Sequence, residues 1–466
     1  MLNVLITIKQ KYIGDRHFYG KVIMIALPIM LQNGITNVVS LLDNVMVGRI
    51  GTEQMSGVSI VNQLFFILLL CLFGATSGAG ILGAQYYGDG DHEGVKNVFR
   101  IKLLLCAIIA AIGVAVLYFF STPLISLYLH EGSATGDLKA TLNYGIRYLN
   151  LMLIAQIPLA IEFCYSSTLR ESGQTAVPMK ASIAAVFVNL VLNYILIYGK
   201  LGFPVMGVAG AAIATIISRF VQVSIVVIWS HTHYEKAPYF KEVYITLKAP
   251  AAMVGKVMKL AMPITLNETL WSLSVATLMA LYSVRGLAAV AGLNINSTIS
   301  NVFNIVFVAL GDSVAIIVGQ QLGAGKIEEG KQTAYRIIFF SVVVCLGIGT
   351  VMFLTAPLFP KVYNTSDEVR YIATNMIRIT ACMMPFQSFL HSAYFTIRSG
   401  GKTFITFLFD GLFMWGVSVP LAFILTKFTN LPIIPLYLLC QMSDILKCVL
   451  GMLLLKGGKW AQNIIH

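Results

Sequence analysis

The sequence has little charge for its length. Only 11% of its 466 residues are Asp, Glu, Lys or Arg, whereas 57% are hydrophobic and the mean hydropathy is +0.81. A soluble domain carries roughly 25% charged residues, so this chain lacks the charge to coat a soluble surface of its size. Apolar stretches of about 20 residues recur instead, the length that crosses the hydrocarbon core as a helix. The composition therefore predicts an all-α polytopic membrane protein.

Paired cysteines and catalytic motifs are also missing. All seven cysteines fall within hydrophobic segments and none form a CxxC pair, which predicts small, buried, reduced thiols. The glycine-rich stretches GDGDHEG and GAGKIEEG lack the Walker spacing, and the sequence has neither HExxH nor a nucleophile elbow. We therefore predict that the protein is not an enzyme, has no resident cofactor and does not pump by hydrolysing ATP.

The net charge of +12 could indicate a nucleic-acid partner, but Lys and Arg concentrate in alternate loops between the apolar segments. Cytoplasmic loops of membrane proteins carry such an excess. The charge therefore predicts a multi-pass protein of the plasma (inner) membrane, with both termini cytoplasmic and no nucleic-acid partner.

Apolar segments alternate with short stretches rich in charge, glycine or proline, such as RIGTEQ and GKLGFP. From this alternation we predict twelve membrane-spanning helices, at residues 22–48, 56–87, 97–120, 140–169, 176–198, 205–230, 257–284, 290–322, 333–357, 368–397, 403–426 and 432–456.

Three pairs of motifs predict an internal repeat. GAQYYGDGDHEGVKNVFR (83–100) resembles GQQLGAGKIEEGKQTAYR (319–336), LRESGQT (169–175) resembles IRSGGKT (397–403), and ALPI (26–29) resembles AMPI (261–264). Each half has an even number of predicted spans, so both halves share one orientation. We predict twelve transmembrane helices in two pseudo-symmetric six-helix bundles, an architecture typical of transporters. The predicted parts are an N-terminal segment 1–21, lobes 22–230 and 257–456, a basic linker 231–256 and a tail 457–466.

A polar stripe runs along the first predicted span. Asp43 shares it with Gln32, Thr36 and Ser40, at spacings of 4, 4 and 3 residues. Such a face does not point at lipid cheaply, so it faces a cavity or neighbouring helices. An ion or proton pathway is the favoured interpretation of the carboxylate. A structural acid paired with neighbouring side chains is the alternative.

Two further acids are candidates to bind a coupling ion. Glu268, preceded by Asn267, lies in the span that opens the second half, and Asp410 is flanked by large apolar residues. A carboxylate in an apolar site favours protonation, whereas one with several oxygen neighbours holds a hard cation. The residues leave H⁺ and Na⁺ open, with Na⁺ at Glu268 or Asp43 the only metal expected.

The remaining intramembrane polar residues have structural and functional interpretations of similar weight. Glu162 is evenly balanced, and Asp444, three residues before Lys447, is interpreted as half of a helical ion pair. Polar residues also share one face on the fifth span and one on the eighth. Interhelical hydrogen bonding and the lining of a substrate cavity both explain these faces, whose residues are Ser182, Asn189 and Asn193 on the fifth span and Asn294, Thr298 and Asn301 on the eighth.

Several motifs in a fixed order resemble the multidrug and toxic compound extrusion (MATE) family. They are LPI…LLDNVMVGRIG, GAQYYGDGDHEG, LRESGQT…PM, LVLNYILIYGKLGFPVMGVAGAAIATIISR and IRSGGKT, and the resemblance covers residues 20 to 456. It implies two six-helix lobes, alternating access, and secondary active efflux of organic, often cationic compounds in exchange for sodium ions or protons.

The resemblance also implies roles for individual residues. The first-span aspartate of the family maps onto Asp43, and the seventh-span acid of its NorM-like branch maps onto Glu268. Many relatives carry an acid in the tenth span, where this sequence has Gln387. Asp410 or His391 is the candidate to replace that acid.

We therefore predict a multidrug antiporter that acts as a monomer in the bilayer on small organic substrates. A flippase or exporter of lipid-linked or other amphiphilic metabolites is the alternative, although a pyrophosphate headgroup would favour more intramembrane cations than Arg219 and Lys447. The repeat and the missing catalytic motifs disfavour a membrane enzyme or receptor. The candidates for a substrate cavity are Gln32, Thr36, Ser40, Glu162, Asn189, Asn193, Asn267, Asn294, Asn301, Gln387 and His391.

Overall fold

The computed structural model describes residues 12–129 and 137–466, which form helices joined by short loops and no strand. The predicted all-helical fold class is confirmed. The long helices in this part of the chain are Arg16–Gly48 (α1), Thr52–Asp89 (α2), His92–Phe119 (α3), Leu138–Glu171 (α4), Ala176–Tyr198 (α5), Val208–Thr232 (α6), Ala251–Ser283 (α7), Leu287–Gly323 (α8), Ile327–Thr355 (α9), Asp367–Ser399 (α10), Thr403–Phe428 (α11) and Ile433–Lys456 (α12).

Among the described residues, eleven of these helices are long and apolar enough to cross a membrane. The exception is α10, whose 33 residues are sufficient in length but include Arg370, Arg378 and Arg398. At 1.5 Å per residue, a helix of this length extends about 50 Å. The structure thus supports eleven of the twelve predicted spans by length and composition, and the tenth by length alone.

Three helices begin well before the predicted spans. Helix α1 begins at Arg16, α7 at Ala251 and α9 at Ile327, each nearly two turns ahead of the apolar segment that defines the prediction. A helix satisfies its own backbone hydrogen bonds, so it continues past the point where its side chains become polar. Hydropathy therefore locates the part of a helix that crosses hydrocarbon and not the helix ends.

Local capping explains other boundaries. Asp137 precedes α4, and its carboxylate accepts hydrogen bonds from the backbone N–H groups of Lys139 at 2.8 Å and Ala140 at 3.2 Å. Helix α5 ends at Tyr198 and is followed by Gly199, which has a left-handed backbone conformation with φ of +65° that glycine adopts without steric cost.

The chain forms two compact units. The first unit comprises Leu31–Gly83 and His92–Met258, and the second comprises the chain up to Met30, Ala84–Asp91 and Lys259–His466. A core of the first unit packs Val61, Leu149 and Ala212 together, from α2, α4 and α6. A core of the second unit packs Ile29 of α1 with Leu310 of α8 and other apolar side chains.

Hydrogen bonds explain why the end of α2 belongs to the second unit. The side chain of Gln85 is fully buried, and its Nε2 donates to the carbonyls of Ser399 at 3.0 Å and Gln462 at 3.1 Å. Its Oε1 accepts from the backbone N–H of Ile464 at 2.9 Å. The last turn of α2 is thereby joined to the end of α10 and to the chain that follows α12.

Helix α11 is irregular in its middle. Leu408–Leu412 and Met414–Ser418 have π-helical hydrogen bonding, between α-helical ends. Such bulges widen a helix locally and often occur at functional positions. The hydropathy of this segment does not reveal the irregularity, and Asp410 lies within it.

One prediction about the cysteines is wrong. Cys382 is exposed and Cys71 is only partly buried, whereas the other five cysteines are buried. A membrane-spanning helix presents apolar residues to lipid as well as to its neighbours, so location in a hydrophobic segment does not establish burial within the protein.

Candidate functional site

Asp43 lies in a polar cluster of the first unit, between α1 and α5. Asn193 Nδ2 donates to Asp43 Oδ1 at 2.6 Å. The amide of Asn189 lies 3.0 Å from the same oxygen and donates to it when its nitrogen faces the carboxylate. Asp43 remains partly exposed, whereas both asparagines are buried. The predicted polar faces of the first and fifth spans therefore meet at this carboxylate.

The donors at Asp43 are neutral. The ion pairs found within residues 12–129 and 137–466 do not include Asp43, and the guanidinium of Arg219 attracts it from beyond 4 Å. Amide donors orient a carboxylate without cancelling its charge. The carboxylate can therefore bind a cation or a proton.

A second polar group of the first unit lies about three turns earlier on α1 and contains no charge. Gln32 Nε2 donates to Ser182 Oγ at 2.8 Å, and Gln222 Nε2 donates to the same oxygen at 3.0 Å. Ser182 thus accepts from α1 and α6 while lying on α5. We call these three residues the amide triad.

Charged side chains surround the amide triad. Glu162 Oε1 accepts from Ser166 at 2.5 Å and from Gln222 at 3.2 Å. Arg219 donates to Gln222 Oε1 at 3.1 Å and is attracted by both Glu162 and Asp43. The first unit therefore places one partly buried arginine where Glu162 and Asp43 both attract it.

Asp410 is the centre of the corresponding cluster in the second unit. Its Oδ1 forms an ion pair with Lys447 of α12, and its Oδ2 accepts from Asn267 Nδ2 of α7 at 3.0 Å. Asn267 Oδ1 also accepts from the backbone N–H of Gly411 at 2.8 Å. We call Asn267, Asp410 and Lys447 the ionic triad. Helix α7 thereby fixes both the carboxylate of Asp410 and the irregular turn of α11 that carries it.

The two triads occupy equivalent positions in the repeat. On α1 and α7, Gln32 and Asn267 each lie four residues after the repeated proline. On α5 and α11, Ser182 and Asp410 each lie twelve residues after the arginine of LRESGQT or IRSGGKT. On α6 and α12 the third residue lies fourteen residues after the first residue of the helix. The matched pairs are Gln32 with Asn267, Ser182 with Asp410, and Gln222 with Lys447.

Glu268 follows Asn267 on α7 and has fewer close partners than Asp410. The hydroxyl of Tyr394 donates to Glu268 Oε1 at 3.5 Å, a long hydrogen bond. Arg398 attracts Glu268 and lies 5.7 Å from the centre of the Tyr394 ring, whereas Asp410 repels it. Glu268 is therefore a carboxylate of the second unit that is oriented only weakly.

Gln387 occupies a specific position near these acids. Its Nε2 donates to Asp444 Oδ2 on α12. His391, one turn further along α10, packs against the rings of Phe307 at 5.5 Å and Phe395 at 4.8 Å. Asp410 and His391 interact electrostatically, so both candidates to replace a tenth-span acid lie in the same cluster.

The predicted helical ion pair between Asp444 and Lys447 is wrong as stated. Lys447 forms its ion pair with Asp410 on α11, and Asp444 bonds with Gln387 on α10. Asp444 still attracts Lys447 from one turn away on α12. Helical spacing in a sequence identifies partners on the same helix only. Packing between helices brings Lys447 to Asp410 and Asp444 to Gln387.

Some predicted residues do not join these clusters. Asn294 and Asn301 are exposed on α8, and Thr36 is exposed and donates to the backbone carbonyl of Gln32 at 2.8 Å. The side chain of Ser40 lies outside the described residues. The buried asparagine of α8 is instead Asn296, whose amide donates to the hydroxyl of Tyr437 at 3.1 Å.

Sequence reasoning also missed a buried ion pair in the first unit. Lys102 Nζ contacts both carboxylate oxygens of Glu171 at 2.6 Å and donates to Ser167 at 2.8 Å and Thr168 at 3.0 Å. The carboxylate lies where a Cβ would stand at Gly83, so glycine in this repeated motif makes room for the pair. In the second half, Ser399 aligns with Glu171, so the pair is not repeated.

These clusters offer single carboxylates to a cation. Within the described residues, no group of three or more His, Cys, Asp or Glu side chains has a metal-binding arrangement. Single carboxylates with amide, hydroxyl or ammonium partners can exchange a proton or a monovalent cation. No pair of a nucleophile and a general base is needed for that task.

A family model described as MatE matches the chain twice, over residues 28–195 and 263–424. The double match agrees with the predicted repeat. Together the two matches cover more than half of the chain and contain all three members of the predicted coupling group, Asp43, Glu268 and Asp410.

Similar proteins are described as multidrug resistance proteins. A probable multidrug resistance protein NorM of Thermotoga maritima is 26% identical over 96% of this chain and 94% of its own length. A probable multidrug resistance protein YoeA of Bacillus subtilis is 24% identical over 88% of this chain and 87% of its own length. The multidrug resistance protein PmpM of Pseudomonas aeruginosa is 24% identical over 86% of this chain and 83% of its own length.

Solved structures with the same fold are MATE transporters. A MATE transporter in its straight conformation superposes with a TM-score of 0.84 at 18% identity, covering 97% of this chain and 98% of its own. An outward-facing multidrug resistance transporter of the MATE family superposes with a TM-score of 0.83 at 19% identity, covering 94% of this chain and 96% of its own.

Proposed function

We propose, because this chain belongs to the MATE family of multidrug efflux transporters, that it exports organic, often cationic compounds in exchange for H⁺ or Na⁺. The exchange would proceed by alternating access, with no chemical conversion of the substrate. Asp43 and Glu268 would bind the coupling ion, and Asp410 would contribute to the same task in the second unit.

The observation that carries this proposal is the environment of Asp43. Its carboxylate is partly exposed and is oriented by the amides of Asn193 and Asn189, both neutral. A carboxylate at membrane depth is energetically costly, and residues of this kind mark the pathways of ions and substrates in transporters. The charge of Asp43 is not cancelled by an ion pair, and its side chain is partly exposed. Both properties suit an acid that takes up and releases a cation.

The first unit also offers neutral polar groups to a substrate. Gln32 and Asn189 are buried on facing helices, and Glu162 adds a carboxylate to the same region. We assign substrate contact to these residues and to Asn193 and Asn267. Cationic compounds suit such a surface because amide oxygens and carboxylates are acceptors for their polar hydrogens and attract their charge.

Topology and location follow from the charge pattern and the family. Lys and Arg in alternate loops support cytoplasmic termini, and the bacterial relatives support location in the plasma membrane. We further propose that a monomer is sufficient, since each chain contains both halves of the repeat.

The cations of the structure disfavour a flippase for lipid-linked pyrophosphates. Lys447 is paired with Asp410, and Arg219 is attracted by Glu162 and Asp43. An anionic headgroup would require basic side chains whose charge is available. Here the two intramembrane cations predicted from the sequence face carboxylates.

The test uses purified protein in proteoliposomes with ethidium as substrate, under a proton gradient and a sodium gradient applied separately. We expect one gradient to drive ethidium transport in the wild type, and Asp43→Asn to abolish it. Glu328→Gln, which alters an exposed acid paired with Lys331, is the matched control and should transport normally. Wild-type transport by Asp43→Asn would refute the proposed coupling role, and no transport under either gradient would favour the flippase.

A further inference from the structure

The helix contact made by the ion pair of Asp410 and Lys447 has a neutral counterpart in the first unit. Lys447 and Asp410 have side chains that are 8% and 20% exposed, so the pair is largely removed from water. Burying two charges costs several kcal/mol of desolvation before their attraction is counted, and neutral replacements are often as stable. The amide triad makes the equivalent contact between α1, α5 and α6 with neutral groups.

Lys447 is held by few bonds. Among the acceptors in the described part of the chain, its ammonium bonds with Asp410 only, and the rings of Phe409 and Phe413 lie 5.5 and 5.9 Å away. Lys102, by contrast, is fully buried and contacts four oxygen atoms. An ammonium has three protons to donate. Lys102 uses this hydrogen-bonding capacity in full, whereas Lys447 uses part of it in the described residues.

A second carboxylate lies one turn from Lys447 on the same helix and attracts it. Asp444 lies one turn earlier on α12 and attracts Lys447, as Asp410 does. A lysine side chain is long and flexible, and its ammonium is a compact point charge. Its charge can therefore be withdrawn from Asp410 without moving a helix.

We propose that Lys447 is a built-in competing cation that sets the charge preference of the second unit for its substrates. In the absence of a substrate, its ammonium occupies Asp410. A cationic substrate that approaches Asp410 and Glu268 displaces the ammonium toward Asp444. The positive charge of Lys447 weakens the attraction of these two carboxylates for the substrate. This inference rests on the proposed function, since it specifies which cations the same site accepts. Lys447 acts as a specificity-determining residue and not as a direct ligand of the substrate.

The proposal predicts how affinity depends on ligand charge. Electrostatic energy is proportional to the charge of the ligand, so removal of Lys447 should help a dication twice as much, in free energy, as a monocation. Ethidium and propidium share one phenanthridinium ring system and carry one and two positive charges respectively. If Lys447→Gln tightens ethidium binding by about tenfold, propidium binding should tighten by about a hundredfold.

The experiment measures the Kd of both dyes by fluorescence, on purified full-length protein in detergent, with thermal unfolding as a check of folding. Lys447→Gln should raise the preference for propidium over ethidium by about tenfold. Lys331→Gln, a partly exposed lysine of the same unit, is the matched control and should leave the preference unchanged. An unchanged preference in a folded Lys447→Gln protein would overturn the proposal.

A double variant keeps the proposal testable if Lys447→Gln does not fold. Asp410→Ser combined with Lys447→Gln introduces the same side chains as Ser182 and Gln222 of the amide triad, so no charge remains unpaired. Compared with Asp410→Ser alone, which leaves the ammonium of Lys447 in place, the double variant should raise the propidium-to-ethidium preference by about tenfold. An equal preference in Asp410→Ser and in the double variant would show that Lys447 does not act through its charge.

The outcomes also separate this inference from the proposed function. The proposed function fails if wild-type protein shows no gradient-driven transport of ethidium. The role of Lys447 fails if the wild type transports ethidium normally while the dye preference of Lys447→Gln is that of the wild type.

Discussion

The two units place a neutral and a charged group of residues at equivalent positions. The amide triad joins three helices of the first unit by hydrogen bonds of 2.8 and 3.0 Å. The ionic triad joins three helices of the second unit around the Asp410–Lys447 pair. The same pattern of helix contacts is thus compatible with neutral or with charged side chains. We infer that the difference between the amide triad and the ionic triad reflects what each unit binds more than what each needs in order to fold.

The difference indicates a division of work between the units. In the first unit, the carboxylate of Asp43 is bonded by asparagine amides and forms no ion pair among the described residues, so its charge is not cancelled. In the second unit Asp410 is already occupied by Lys447, and Glu268 has a weakly bound hydroxyl as its partner. We infer that the first unit presents a carboxylate that is free of an ion pair, whereas the second presents one that a cation must compete for.

The largest expected effect tests whether the second unit is needed for coupling at all. Glu268→Gln removes a carboxylate of that unit that forms no ion pair in the described part of the chain, and we expect it to abolish gradient-driven ethidium transport. The reason is that Asp410, neutralised by Lys447, cannot replace the lost charge.

The measurement is transport in proteoliposomes under the gradient that drives the wild type, with Glu328→Gln as the matched control. Transport by Glu268→Gln at the wild-type rate would place coupling in the first unit alone, and would remove the division of work described above.

The sequence predicted the two units unequally well. The helical spacing of polar residues predicted that the face of Asp43 meets a cavity or neighbouring helices, because a regular α-helix places residues three or four apart on one face. In the structure Asp43 meets Asn193 of α5. The same reasoning assigned Lys447 to Asp444, since the true partner, Asp410, lies on another helix and in a π-helical turn. Long-range pairs of this kind depend on how helices pack, which a single sequence does not contain.

Two further misses have different physical reasons. Asn294 and Asn301 are polar residues at helical spacing, yet they are exposed while Asn296 is buried with Tyr437. Spacing shows that residues share a face but not which way the face points. Gln222 of the amide triad was missed because a single glutamine in an apolar helix carries no periodic signal, although its position in the repeat matches Lys447.

The next effect compares two buried lysines. Lys102→Met leaves Glu171 without its cation in a buried site, and we expect the free energy of unfolding to fall by about 3–5 kcal/mol. Lys447→Met should cost less, because Asp410 keeps the hydrogen bond from Asn267 and is more exposed.

Thermal unfolding in detergent, followed by size-exclusion chromatography, would measure both changes. The double variant Lys102→Met with Glu171→Leu is the control, since it removes both charges and should recover most of the lost stability. An equal loss in the two single variants would contradict the distinction between a locked pair and an exchangeable one.

The smallest effect compares the centres of the two triads directly. Ser182→Ala removes the hydroxyl that accepts from Gln32 and Gln222, and we expect a loss of about 1 kcal/mol, because their amides are neutral and Gln222 keeps Glu162 as an acceptor. Asp410→Ala should cost about 3 kcal/mol, because it leaves the ammonium of Lys447 unpaired at a buried position. Ser283→Ala, at an exposed serine on α7, is the control and should be neutral. Equal losses of stability at Ser182 and Asp410 would mean that the charge of the ionic triad adds nothing to the free energy of unfolding. The amide triad and the ionic triad would then stabilise their units equally, although their side chains differ.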